Sequence, residues 1–314
     1  MNAQSEAVSA HIQENTLLQP AIQAWKIYLH DQGRSHHTLK AFTADLALLE
    51  SFLPADKTIG SITTKDLEDY LTWLEKDRDV PCSPKTLSRR ITSIKSFFRW
   101  LVKGGVLNSD PAEKVIQKTV ISPLPTVLTP TEYTQALEAA EALRTAANPD
   151  PRPYTLMLLV LETSLKKGEC LSLMTNHLEI ENPDQAYIHV RYKQARYRYK
   201  ERKVGVSAEW VAAYHEYAEK YQIKDQVFPW SQRRLEYLLE DVTKAANMEK
   251  HISFDMLRWT SALIDLTNGV EKDKIRQKLG ISKVQWREVS NKLRSLAEEN
   301  GYPVPEETPQ GETI

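Results

Sequence analysis

Cysteine is nearly absent: the 314 residues hold two, Cys82 and Cys170. Neither belongs to a CxxC pair or has a histidine at ligand spacing. That excludes a disulfide framework, argues against a zinc site, and suits a reducing cytoplasm. Long apolar runs are absent too. The longest, "YTLMLLVL" from Tyr154, is too short to span a bilayer and reads as a buried helix, so no membrane partner is expected. The N-terminus, "MNAQSEAVSAHIQENT", carries acids and does not read as a signal peptide. No phosphate-binding loop, metal-ligand cluster or internal repeat is found, so no metal and no nucleotide cofactor is implied. Positive charge is not in excess either: 41 Lys and Arg against 42 Asp and Glu leave a net charge of −1. The sum alone does not advertise a protein that binds polyanions.

What is present is an ordinary globular composition, 41% apolar and 26% charged, in a chain long enough for two cores. Residues 1–16 are expected to be disordered. From residue 17 to 118 the apolar spacing is helical throughout. "LLQPAIQAWKIYLHDQG" gathers Ile22, Trp25 and Leu29 on one face. "SHHTLKAFTADLALLESFL" starts at Ser35, a helix cap, and repeats Leu39, Phe42, Leu46 and Leu49. "TTKDLEDYLTWLEKD" opens on threonine and early acids. "SPKTLSRRITSIKSFFRWLVKGG" has Ser83 as cap, Pro84 at the first helical position and two glycines at its end. These predict a four-helix domain. "TVISPLPTVLTP", residues 119–130, has three prolines and predicts a linker. A second, mainly helical domain should run from 131 to 298, followed by a mobile acidic tail, 299–314. Its one departure from helix is "AYIHVRYKQARYRYKERKVGVS", where period-two alternation predicts a strand pair from Ala186 to Ser207.

Charge is unevenly placed, and placement matters more than the sum. The fourth helix carries Lys85, Arg89, Arg90, Lys95, Arg99 and Lys103 with no acid among them. That is either a solvated helix face or a helix that meets DNA phosphates. In the strand pair Arg191, Lys193, Arg196, Arg198, Lys200, Arg202 and Lys203 face one acid, Glu201, and alternate with Tyr192, Tyr197 and Tyr199. Cations interleaved with aromatic rings suit phosphate contact, with rings packing along sugar or base. Two basic patches on two linked domains predict a clamp around double-stranded DNA.

The order of parts carries a resemblance. The four-helix domain, the proline linker, "LVLETSLKKGECLSL", the basic hairpin, "FDMLRWTSALIDLTNGV" and "IRQKLGISKVQWREVS" together resemble the tyrosine recombinases, the lambda-integrase or Xer-like family, over residues 18–296. The resemblance implies a SAM-like core-binding domain followed by a mainly α catalytic-type domain with a small antiparallel sheet. It also implies DNA as partner and no cofactor. In that family a tyrosine attacks the scissile phosphate, while arginines, a lysine and His or Trp side chains meet the developing charge.

At the family's motif positions the chain departs from the pattern. Where E-T-G-L-R has its arginine stands Lys166, which keeps the charge and loses the planar fork. The hairpin lysine falls on Lys193 or Lys200. The first histidine of H-x-L-R falls on Asp255, a carboxylate that repels phosphate; the arginine survives as Arg258, which either holds a phosphate or pairs with Asp255. The histidine of L-G-H falls on Ile281, and the attacking tyrosine on Ser290. Tyr302, the one tyrosine downstream, lies in the expected tail.

These residues support a DNA-binding protein on a recombinase scaffold that does not cleave. Such a protein would act as a homo-oligomer or beside an active recombinase relative, docking through its C-terminal segment. An active recombinase using Tyr302 or Ser290, and a protein-interaction module, are the competing readings.

Overall fold

The computed structural model describes residues 11–117 and 123–303. The chain forms two compact units that part between Pro123 and Leu124.

In the first unit four helices, α1 (Leu18–Asp31), α2 (His36–Phe52), α3 (Thr64–Thr72) and α4 (Pro84–Lys103), close on one core. The caps explain the boundaries. Ser35, Thr63 and Ser83 each accept a hydrogen bond from the backbone N–H three residues on, satisfying a donor the helix leaves unpaired. Trp25 is fully buried at the centre, stacked on Phe42 and edge-on to Phe97. Of the N-terminus expected to be disordered, residues 1–10 lie outside the described residues. Residues 11–16 are ordered instead: Ile59 N–H donates to Thr16 O (2.9 Å) and Gly60 N–H to Glu14 O (2.8 Å). A Cβ at Gly60 would lie 2.8 Å from Glu14 Cβ, so glycine is what lets the two backbones approach.

The second unit begins inside the expected linker. Residues 118–122 lie outside the described residues, but Val127 and Leu128 are buried, and Leu128 N–H donates to the Thr260 hydroxyl (3.0 Å). Their apolar side chains make them core, although the prolines around them read as tether. Among the described residues eight α-helices follow: α5 (Pro130–Thr145), α6 (Pro151–Thr163), α7 (Lys167–Ser172), α8 (Ala208–Tyr221), α9 (Gln232–Ala245), α10 (Phe254–Thr267), α11 (Lys272–Leu279) and α12 (Lys283–Glu299). Helix α6 is apolar nearly all round because it is buried on every side. One cluster surrounds it; a smaller one joins α10, α11 and α12.

The expected strand pair is shorter than its sequence pattern. Strands β2 (Tyr187–Val190) and β3 (Arg202–Gly205) pair antiparallel with Ile188 opposite Val204, and β1 (Leu178–Glu179), which the sequence did not signal, adds a third strand. Residues 191–201 form a loop with a 3₁₀ stretch, Ala195–Lys200. Tyr192 draws the chain off the ladder, since its hydroxyl reaches inward to Glu169. The molecule is thus mostly α, with one small antiparallel sheet. No helix among the described residues is long and apolar enough to cross a membrane.

Removing the Trp25 ring should cost about 3–5 kcal/mol. Trp25→Ala is expected to abolish native-state amide protection at Leu46 and Leu49 while leaving Leu156 and Leu159 protected. Equal loss in both sets would mean the two cores are not separately stable.

Candidate functional site

Three of the segments singled out by sequence meet in the second unit at the C-terminal end of α11. That helix stops at Gly280, φ +61° and ψ +47°. The last carbonyls of a helix lack intrahelical partners and carry the negative end of its dipole. Here three consecutive carbonyls are closed by three cations from three other elements. Arg202 Nε, at the start of β3, donates to Lys278 O (2.9 Å). Arg258 Nη2, in α10, donates to Leu279 O (3.3 Å). Lys166 Nζ, just before α7, donates to Gly280 O (3.0 Å). A Cβ on residue 280 would lie 2.7 Å from Arg202 Nη1 and 3.4 Å from Lys166 Nζ, so glycine suits the positive φ and lets the Arg202 tip lie where it does.

One buried carboxylate balances these charges. Glu169 stands three residues after Lys166 and accepts the Lys166 backbone N–H (2.9 Å), closing the start of α7. It also takes the Arg202 fork at both oxygens, at 3.1 and 2.8 Å. Lys166 Nζ lies 3.6 Å away and the Tyr192 hydroxyl donates as well. Burial pushes the Glu169 carboxyl up, but the Arg202 fork and the Lys166 charge outweigh it and hold it at about 2. Burial pulls Lys166 and Arg258 below their ordinary values, with Glu169 opposing the shift in both.

Arg258 also donates through Nε to Ser164 O (2.8 Å). Ser164 is in the left-handed region, φ +52°, a conformation that costs a non-glycine residue about 1–2 kcal/mol; its hydroxyl meets that of Ser261 at 2.9 Å. The Arg258–Asp255 pair is present at 3.4 Å, but the Asp255 side chain is 85% exposed. Such a pair contributes at most about 1 kcal/mol, so the carbonyls hold this arginine more firmly than the acid does.

The remaining motif positions are elsewhere. Ile281 packs into the cluster of α10, α11 and α12. Ser290, in α12, turns its hydroxyl back to Arg287 O of its own helix (3.2 Å). Tyr302 is docked, not adrift in a tail: its hydroxyl donates to Leu128 O (2.8 Å), its ring packs into the same cluster, and burial pushes its pKa up to about 12. Helix α12 runs to Glu299; of the expected tail, residues 304–314 lie outside the described residues.

Two clefts flank the cation cluster. One, of about 830 Å³, is lined by Lys166, Lys167, Arg233, His251, Asp255 and Arg258. The other, of about 660 Å³, is lined by Lys200, Arg202, Lys203, Lys274, Gly280 and Ser282, among others. Of the two candidate hairpin lysines, Lys200 belongs to this cleft, and Lys193 is exposed and lines neither. Among the described residues no group of three or more His, Cys, Asp or Glu could hold a metal ion.

The surface cations expected from sequence divide into two kinds. Lys85, Arg196 and Arg198 are exposed. Lys95 is half-buried, donating to Glu113 O (3.3 Å). Arg89 and Arg90 flank the buried Asp45, Arg89 bonded to it directly and Arg90 Nε 3.6 Å away; the Ser93 hydroxyl donates to the same carboxylate (2.7 Å). The Arg90 side chain is only 12% exposed and that of Arg202 only 8%. Both face inward, because a buried carboxylate needs a partner. Sequence reasoning missed Glu169 and Gly280, and read Tyr192 as an outward aromatic when its hydroxyl is bonded to Glu169. The i, i+3 spacing of Glu169 from a helix start and the glycine after α11 were the available signals.

Both units are similar to known proteins. Residues 22–105 match the family described as phage integrase, N-terminal SAM-like domain, and residues 126–287 match the phage integrase family. That second match ends three residues short of Ser290. Tyrosine recombinase XerC of Lacticaseibacillus casei is 24% identical over 297 residues, covering 90% of this chain and 96% of the relative. Two solved structures share the fold. XerH recombinase on a palindromic difH substrate, post-cleavage, has a TM-score of 0.68 at 17% identity, covering 91% of this chain and 83% of that one. A lambda integrase dimer bound to a COC′ core site has a TM-score of 0.67 at 14% identity, covering 92% and 81%.

Glu169 should make stability depend on acid. Its ordinary value is 4.5 and its folded value about 2, so its contribution is complete above pH ~4.5 and disappears as pH falls towards ~2. Urea midpoints measured down this range should fall, and the Glu169→Gln variant should lack that part of the fall. The same variant leaves Arg202 buried without its acid and should lose about 3–5 kcal/mol at neutral pH. Unchanged neutral stability would show that the carboxylate is not what balances the cluster.

Proposed function

Because the chain belongs to the phage integrase family, we propose that it binds duplex DNA on a recombinase scaffold and does not cut it. Ser290 carries this reading: it stands where the resemblance puts the attacking tyrosine, and its hydroxyl bonds its own helix. A serine alcohol lacks both the ring that carries oxygen out to a phosphate and the phenol's pKa of about 10.

The neighbouring positions agree. Lys166 offers one ammonium where an arginine would offer a fork for two phosphate oxygens, and that ammonium is engaged with Gly280 O. Asp255 presents a carboxylate to the cleft that Arg258 lines. Tyr302 is an unsuitable substitute nucleophile in the same chain, since its hydroxyl is bonded to backbone and its proton is held tightly.

Binding would rest on the cations that remain displayed: Lys85, with Arg89 partly exposed, on the first unit, and Arg196, Arg198 and Lys200 on the loop of the second. Phosphate contacts of this kind hold any sequence and weaken with salt. The similarity to a lambda integrase that is a dimer on DNA supports a chain that works with a second copy or with an active relative. The C-terminal segment is the part we assign to docking on that partner. A cytoplasmic location follows from the same reading, as does a role as accessory or regulatory subunit in DNA recombination.

The test is recovery of DNA from a random duplex library bound at low salt, eluted first with high salt and then with boiling detergent and protease. All DNA should leave with salt. DNA released only by proteolysis would mean a covalent adduct and would overturn the non-cleaving reading; its loss in Tyr302→Phe or Ser290→Ala would then name the nucleophile. In the salt-released binding, Arg196→Ala with Arg198→Ala should weaken every sequence alike and reduce the log–log salt slope by about two.

A further inference from the structure

We propose that the loop 191–201 captures an unstacked nucleobase, with Tyr199 as the stacking platform, so that DNA carrying an unpaired base is held in preference to continuous duplex. The inference rests on the DNA-binding reading above and deepens it.

Tyr199 is 73% exposed, although it is a large ring. Its surroundings differ from those of a stray surface aromatic. The 3₁₀ stretch has three residues per turn, which places Arg196 on the same face as Tyr199 and Tyr197 on the same face as Lys200. Lys200 Nζ lies 5.4 Å from the Tyr199 ring centroid and 5.2 Å from that of Tyr197; the Arg196 guanidinium lies 4.8 Å from Tyr197. Arg198 is exposed between the two tyrosines. The free ring is therefore bordered by cations that can hold the phosphates on either side of a base.

The loop is also built to stay in place. Tyr197 packs against Tyr192 with centroids 5.9 Å apart, and the Tyr192 hydroxyl is bonded to the buried Glu169. The one acid of the segment, Glu201, accepts the Tyr192 backbone N–H (3.0 Å). Glu201 is itself exposed, so the outward surface of the segment is cationic and aromatic with a single carboxylate at its end. A protein partner would have to supply a dense run of acids to fit this surface, whereas a nucleotide supplies a phosphate and an aromatic face together. Bases inside a duplex have both faces covered by their neighbours. Only a base without a stacked neighbour can cover Tyr199, and base–aromatic stacking tolerates any of the four bases.

The experiment measures anisotropy of the full chain, at one salt concentration, with a short labelled duplex and with the same duplex carrying a single unpaired base at its centre. The expected result is binding about fivefold or more tighter to the interrupted duplex. Tyr199→Ala should bring that ratio to about one, and Tyr199→Phe, which keeps the ring, should preserve it. With 2-aminopurine as the unpaired base, fluorescence should be quenched by the wild type and not by Tyr199→Ala. Equal affinity of the wild type for the two DNAs, or a ratio that survives Tyr199→Ala, overturns the inference and leaves duplex binding standing. Retention of neither DNA at low salt overturns the DNA-binding reading, and the inference with it.

Discussion

The second unit is organised around an electrostatic requirement of one helix end. Helix α11 finishes with three carbonyls turned out of the helix, and Arg202, Arg258 and Lys166 close on them in register. Three cations packed this closely repel one another and lose hydration, which costs free energy. Glu169 offsets that cost by placing a full negative charge among them, with both of its oxygens on the Arg202 fork. The arrangement also favours Gly280, whose positive φ suits glycine and where a side chain would displace the Arg202 tip. It also pulls Tyr192 inward and so bends the hairpin out of its ladder. Sheet, turn and helix terminus all follow from satisfying one set of buried charges.

The first unit uses the same device on a smaller scale. Asp45 is buried in α2 and draws Arg89 and Arg90 of α4 toward it, with the Ser93 hydroxyl completing its shell. In each unit, then, part of a basic stretch is internal. This reconciles two features that conflict in the bare sequence, a near-zero net charge and two dense runs of Lys and Arg. Some of those cations compensate buried acids and add nothing to the surface field, while Lys85, Arg196 and Arg198 remain outside to act on a polyanion.

Most of the helical architecture was legible because it is local. Ser35, Thr63 and Ser83 cap helices through contacts three residues away, and the apolar spacing of α1 to α4 reports one buried face. What was not legible depends on distant partners. Alternation around Tyr192 and Tyr197 looks like a strand until Glu169 supplies an inward bond for Tyr192. Residues 11–16 look like a frayed end until Gly60 leaves room for a backbone to lie against it. Val127 and Leu128 are surrounded by prolines that signal a tether, and only the Thr260 hydroxyl and the core around them make them part of the second unit. Arg202 looks like one more surface cation in a basic run, and nothing local distinguishes it from Arg198. In the candidate site, the sequence offered the motif positions only one at a time, as expectations from the resemblance. That Lys166, Arg202 and Arg258 share a single helix end could not be read, because the three lie on three different elements.

On the proposed reading, this sharing gives a physical account of which positions depart from the family pattern. A cation at position 166 is needed by Gly280 O and Glu169 whether or not any phosphate is ever attacked, and lysine meets that need with one ammonium. The planar fork of an arginine adds value only where two phosphate oxygens must be gripped together. Arg258 is different, because its Nε and Nη2 reach two separate carbonyls, Ser164 O and Leu279 O, a span that a single ammonium cannot cover. Folding therefore demands an arginine at 258 and tolerates a lysine at 166. Positions 281 and 290 carry no such duty: Ile281 serves as packing, and Ser290 bonds its own helix. On the reading that strand cleavage is not required of this chain, the groups that also hold the structure together are the ones expected to keep their charge, and the groups that served chemistry alone are free to become apolar or small.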